Sequence, residues 1–145
     1  MVWQKGKIYA IGGSPSSTSN FSAYPKDMFA ECLDYNNMSN TWDAMTLGSY
    51  TAFIDGASSD WLSRYYQGTC SFGDEIFVFG GRRKDTDSEI LNTAFAWNPE
   101  TGVVRRIGDL PEEIRPPICA VACGSKIYMA GKGVDGKLMM FEYTP

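Results

Sequence analysis

Histidine is missing from all 145 residues of this chain. That removes the usual acid–base of neutral pH and the commonest ligand of copper and zinc, and it counts against catalysis. No stretch reaches the roughly 18 consecutive apolar residues that a spanning helix needs, and no basic, apolar, cleavable leader opens the sequence. A cytoplasmic location with no membrane partner is therefore expected. Positive charge is in short supply, 13 Lys and Arg against 17 Asp and Glu for a net charge of −4. That balance gives no basis for gripping a phosphate backbone, so nucleic acid is not an expected partner. The four cysteines, Cys32, Cys70, Cys119 and Cys123, include no Cys-x-x-Cys pair and do not space like a secreted disulfide framework. Cys119 and Cys123, four apart in a strand-like run, are expected on one face of a sheet as buried thiols. No Gly-x-Ser-x-Gly, nucleotide-binding or metal-ligand motif occurs, so no cofactor or metal is implied. Asp85, Asp87 and Glu89 alternate in a short loop and Glu112-Glu113 follows a proline turn; both read as solvated charge rather than paired acid and base.

What the chain does contain is 15 glycines and 14% aromatic residues, the mixture of many short strands joined by tight turns. It also contains a repeat. Lys7-Ile8-Tyr9-Ala10-Ile11-Gly12-Gly13 returns as Glu75-Ile76-Phe77-Val78-Phe79-Gly80-Gly81, and in degraded form as Lys126-Ile127-Tyr128-Met129-Ala130-Gly131-Lys132. Each copy is the β-branched and aromatic run of a strand buried on both faces. Each follows a turn, Lys5-Gly6, Gly73-Asp74 or Gly124-Ser125. Terminal glycines suit a place where the backbone bends or meets another backbone. The anchors Gly13, Gly81 and Lys132 lie 68 and 51 residues apart, and Arg64 and Arg115 are again 51 apart.

A period near 50 with a Gly-Gly strand end resembles the Kelch repeat, the unit of four-stranded propeller blades. Tyr35 and Trp42 fit that family's tyrosine, six-residue gap and tryptophan. Trp97-Asn98-Pro99-Glu100-Thr101-Gly102 resembles the turn after the tyrosine, with Trp97 in the tyrosine's place and Val104 in the tryptophan's. Tyr143-Thr144-Pro145 begins the same motif. The resemblance implies an all-β fold, a partial Kelch-type β-propeller of about two and a half four-stranded antiparallel blades. Residues 1–47 form a first repeat without strand A, 48–63 an insertion, 64–111 a complete repeat, and 112–145 a third repeat without strand D. Gly12, Gly13, Gly80, Gly81, Gly131, Tyr35, Trp42 and Trp97 are expected to be structural. Such a chain needs the remaining blades or another copy to cover its open ends, because propellers close with about four to eight.

The first repeat exceeds the second by 17 residues, six in the loop from Ser14 to Pro25 and eleven mostly in Gly48 to Ser63. In an antiparallel blade the loops between strands B and C and the connections from D to the next A emerge on one face. Both insertions and the charged Arg82-Arg83 loop are therefore expected there, and loops on a rigid scaffold are where binding concentrates. Trp61, Tyr65, Arg82 and Arg83 are candidate partner contacts by residue type. The resemblance adds Arg64 and Arg115 at the border of the central opening, where a guanidinium can fork onto a carboxylate. The alternative for each arginine is a bond to neighbouring loop carbonyls. The implied function is a non-catalytic protein-interaction module that takes a protein or acidic peptide, as the substrate-recognition part of a ubiquitin-ligase adaptor or as an actin-associated scaffold. The alternative, a fragment resembling a copper-radical oxidase or sugar-acid isomerase propeller, is disfavoured by the missing histidine.

Overall fold

The computed structural model describes residues 1–13, 28–37, 41–46, 52–55, 57, 64–83 and 89–145. Trp61, the 14–25 insertion and most of 48–63 lie outside the described residues. Fourteen strands and no helix form among the described residues. The first sheet has the order β1 (Val2–Gln4), β2 (Lys7–Ile11), β3 (Met28–Asp34), β4 (Asp43–Thr46). The middle sheet runs β5 (Ala52–Ile54), β11 (Val103–Asp109), β10 (Thr93–Trp97), β8 (Glu75–Phe79), β7 (Gly68–Phe72). The third is β12 (Ile114–Cys123), β13 (Lys126–Gly133), β14 (Leu138–Tyr143), and β6 (Arg64–Tyr65) pairs with β9 (Arg82–Arg83) in a small fourth sheet.

The first sheet corrects the expectation that its strand A is missing, because β1 pairs with β2 across the two-residue turn Lys5-Gly6. Both turn residues have positive φ, 45° and 80°, the hairpin geometry whose twist matches the flanking strands. Three residues with glutamine among them show no strand pattern of their own; the turn was the readable signal.

The middle sheet is built to be covered twice. Along β8 the side chains alternate, Ile76 and Val78 to one side and Phe77 and Phe79 to the other. Along β10 the large residues Phe95 and Trp97 take the first side, and Ala94 and Ala96 leave room on the second. The first core joins Ile76, Val78, Phe95, Trp97 and Val104 to Val2, Tyr9, Ala30, Cys32 and Met45 of the first sheet. Tyr9 and Trp97 meet edge to face there at 5.4 Å. The second core joins Cys70, Phe77, Phe79, Ala94, Ala96 and Leu110 to Ile114, Ile118, Ile127 and Met129 of the third sheet. Fully burying a side chain of this kind contributes about 1.5–3 kcal/mol, so these two cores carry the fold.

Three further expectations change. The insertion was placed wholly on the loop face, yet β5 lies parallel on β11, the rim strand of the middle sheet, and Ala57 packs against the first core. A free strand edge recruits the nearest extended segment, which is how loop sequence became a fifth strand. Cys119 and Cys123 do share a face of β12, but they are exposed on the outer side of the third sheet; only Cys32 and Cys70 are buried. Tyr35 also does not hold the place of Trp97. Ile76 pairs with Trp97 and its counterpart Ile8 pairs with Leu33, so Leu33 holds that place and the first turn is two residues longer. Trp42 does sit level with Val104, since Asp43 pairs with Cys32 as Arg105 pairs with Ala96. Tyr35 is exposed and meets the Trp3 ring edge to face at 5.8 Å.

Candidate partner-binding face

The candidate face is organised by four residues, 64–67, that carry the chain into the middle sheet. This segment threads between the glycine pairs of two neighbouring sheets. Gly13 N donates to Arg64 O at 3.3 Å, and Gln67 Nε2 donates to Ile11 O at 2.8 Å. A Cβ on Gly12 would collide with Arg64 O, and one on Gly81 would lie 2.7 Å from Tyr65 O. The glycine pairs are therefore structural through main-chain contact, with φ of 71° at Gly12 and 98° at Gly81 besides. On the far side Ile118 N donates to Tyr66 O at 3.2 Å, tying the same segment to the third sheet.

Arg64 is turned inward and is 1% exposed. Its Nη1 donates to Gly80 O at 2.9 Å and Thr93 O at 3.0 Å, and its Nη2 to Thr93 Oγ1 at 3.1 Å. The guanidinium carbon lies 5.0 Å from the centre of the Phe95 ring. Burial, with the nearby Arg83 charge, pushes its pKa down to about 9, so it remains a cation at neutral pH. These contacts match the loop-carbonyl alternative and correct the partner-contact expectation for Arg64. Tyr65 is likewise buried, while Tyr66 (φ 57°) presents its ring to solvent and meets Tyr65 edge to face at 4.9 Å. The exposed aromatic of the pair is thus the neighbour of the one expected.

Arg82 and Arg83 are half-buried in β9, opposite Tyr65 and Arg64. Arg83 Nε lies 2.9 Å from Glu89 Oε2. Arg115 differs from Arg64 although both precede their blades by the same spacing. It is exposed near the start of β12, and Ile114 is the side chain that meets Gly131. Directly opposite Arg115 stands the exposed Lys132 of β13, a second cation that in the sequence stood out only as a degraded glycine. Among the described residues neither cation forms an ion pair, and the nearby Glu112 and Glu113 are exposed without one.

The opposite end of the sheets holds a cleft of about 290 Å³ lined by Gln4, Lys5, Lys7, Tyr9, Asp74, Pro99 and Glu100. Lys5 Nζ bridges Asp74 at 2.8 Å and Glu100 at 3.0 Å, linking turns of the first and middle sheets. The cations of this cleft are already matched by carboxylates, since Lys7 also lies 3.7 Å from Asp34, and no expected contact residue is there.

Residues 63–111 match the family model of the Kelch motif, and no curated protein matches the chain. The match covers β6 through β11 and so spans the incoming segment, the glycine pair Gly80-Gly81 and four of the five strands of the middle sheet, all but β5. The stacked all-β sheets on either side are consistent with a partial Kelch-type propeller.

Proposed function

We propose that this chain, built around the Kelch motif at 63–111, is a non-catalytic protein-interaction module that takes an acidic peptide or protein segment at the glycine-pair end of its sheets. The observation that carries this reading is the Arg115–Lys132 pair. Two cations directly opposite each other on an antiparallel ladder repel, and among the described residues no carboxylate neutralises them. A ligand carboxylate would relieve that repulsion and accept two hydrogen bonds from the Arg115 fork. Tyr66, exposed and bonded through its carbonyl to Ile118, adds a flat amphipathic ring of the kind that anchors interfaces.

The test is equilibrium binding of labelled oligoglutamate and oligolysine peptides to the whole chain. Oligoglutamate binds more tightly, its affinity falls with added salt, and Arg115→Ala or Lys132→Ala weakens it about tenfold, or about 1.4 kcal/mol. Equal binding of the two peptides, or unchanged affinity in both variants, overturns the reading. Within it, substrate recognition for a ubiquitin ligase and an actin-associated scaffold are the two finer roles, and cosedimentation with actin filaments separates them.

A further inference from the structure

We propose that the cleft between the first and middle sheets, at the end remote from the glycine pairs, binds a small uncharged polyhydroxylated ring of the monosaccharide or cyclic-polyol class. This inference is independent of the acidic-peptide reading and uses different residues.

The support begins with Gln4, the last residue of β1. It is 5% exposed and, among the described residues, shares burial of a polar side chain only with Arg64. Arg64 is satisfied by carbonyls and a threonine hydroxyl; Gln4 is satisfied on one side only. Its Nε2 donates to Gly73 O at 2.9 Å, whereas its Oε1 accepts no hydrogen bond among the described residues. That oxygen is not sealed from solvent, and the side chain lines the cleft, which is its route to a partner. Leaving so buried an acceptor unpaired is costly, and the fold does not demand a polar residue there. The equivalent position of the middle sheet, opposite Glu75 as Gln4 is opposite Lys7, is Phe72, which packs on Phe77 at 6.3 Å.

The other walls share this bias toward acceptors. Lys5 Nζ engages one oxygen of Asp74 and one of Glu100, and among the described residues Asp74 Oδ2 and Glu100 Oε1 stay open. Lys7 Nζ, 3.7 Å from Asp34 and so outside hydrogen-bond distance, is a spare donor. Tyr9 and Pro99 add carbon surface. Charge and direction together select the ligand. An ionic ligand would have to break one of the Lys5 bridges to pair, whereas an uncharged one leaves both intact. The open acceptors call for O–H or N–H donors, and they stand on three separate segments: the end of β1, the turn after β7 and the turn after β10. A lone amide or hydroxyl cannot face all three. A ring with hydroxyls on several carbons can, and it also accepts from Lys7, forms charge-assisted bonds to the carboxylates and lays its C–H surface on Tyr9 and Pro99. The volume of about 290 Å³ lies at the small end of ligand sites, room for one ring rather than a chain.

Titration of the whole chain with myo-inositol, glucose and galactose, followed by the amide resonances of the protein, tests this. At least one of the three shifts the resonances of Gln4, Asp74 and Glu100 saturably. Permethylated glucose, which keeps the ring and loses every donor, leaves them in place. Gln4→Leu keeps most of the side-chain bulk and deletes the acceptor, and affinity falls about tenfold. Asp74→Ala lies in an exposed turn and weakens binding in the same direction, so the test stays decisive even where Gln4→Leu fails to fold. No saturable shift with any of the three rings, equal binding of the permethylated ring, shifts confined to the glycine-pair end, or unchanged affinity in the folded variants overturns the proposal.

Discussion

Arg64 and Arg115 occupy the same place in the repeat and do opposite things. Arg64 finds two carbonyls and a threonine hydroxyl within 3.1 Å. At the third sheet the position level with Thr93 is Met139, which offers no hydroxyl, and Ile114 fills the space beside Gly131. The spacing that aligned the two arginines in the sequence could not carry this difference, because it lies in residues that only strand register brings near them. Truncating Arg64 to alanine leaves the Gly80 carbonyl without this donor at about 1–3 kcal/mol, whereas Thr93 O keeps its bond from Gly80 N at 3.0 Å; removing a charge that burial penalises offsets part of the loss. The expected outcome is a loss of about 2 kcal/mol, read as a lower urea midpoint. Arg64→Lys recovers little of it, since one ammonium lacks the fork that reaches both acceptors. Acidic-peptide affinity of the folded fraction is unchanged.

Among the elements, the strands ending in glycine pairs were readable because they combine β-branched residues with a turn before and a glycine after. β1 and β5 were not, being three residues each and held by pairing rather than by pattern. The glycine pairs also permit a clean comparison of two causes. Gly13 and Gly81 both have φ near 100°, but a Cβ at Gly13 meets nothing within 4 Å among the described residues, whereas one at Gly81 meets Tyr65 O and the Gln67 backbone. Gly13→Ala therefore carries only the backbone penalty, about 1–2 kcal/mol. Gly81→Ala adds a main-chain clash that forces residues 64–67 to move, and its loss exceeds that of Gly13→Ala by at least about 1 kcal/mol. Denaturant titration of the two variants side by side checks the difference; equal losses would mean that the close approach at Gly81 does not constrain the joint.

For the whole molecule, the repeat period predicted stacked blades, and the two cores on either side of the middle sheet follow from strict alternation along β8 and β10. What the sequence could not show was which face of the end sheets would be left open, since that depends on register. One consequence is testable in pairs. Phe77 and Val78 are neighbours in the chain but belong to different cores, whereas Tyr9 and Trp97 are far apart in sequence and touch. A double-mutant cycle on Phe77→Leu and Val78→Ala is expected to be additive within about 0.5 kcal/mol. The cycle on Tyr9→Leu and Trp97→Leu is expected to show a coupling of about 0.5–1.5 kcal/mol. The threading of residues 64–67 between Gly12 and Gly81 has a consequence for inheritance as well. A joint made largely of main chain reads almost no side-chain alphabet, so the loops beside it are free to drift toward new ligands while the order of the blades is handed down unchanged.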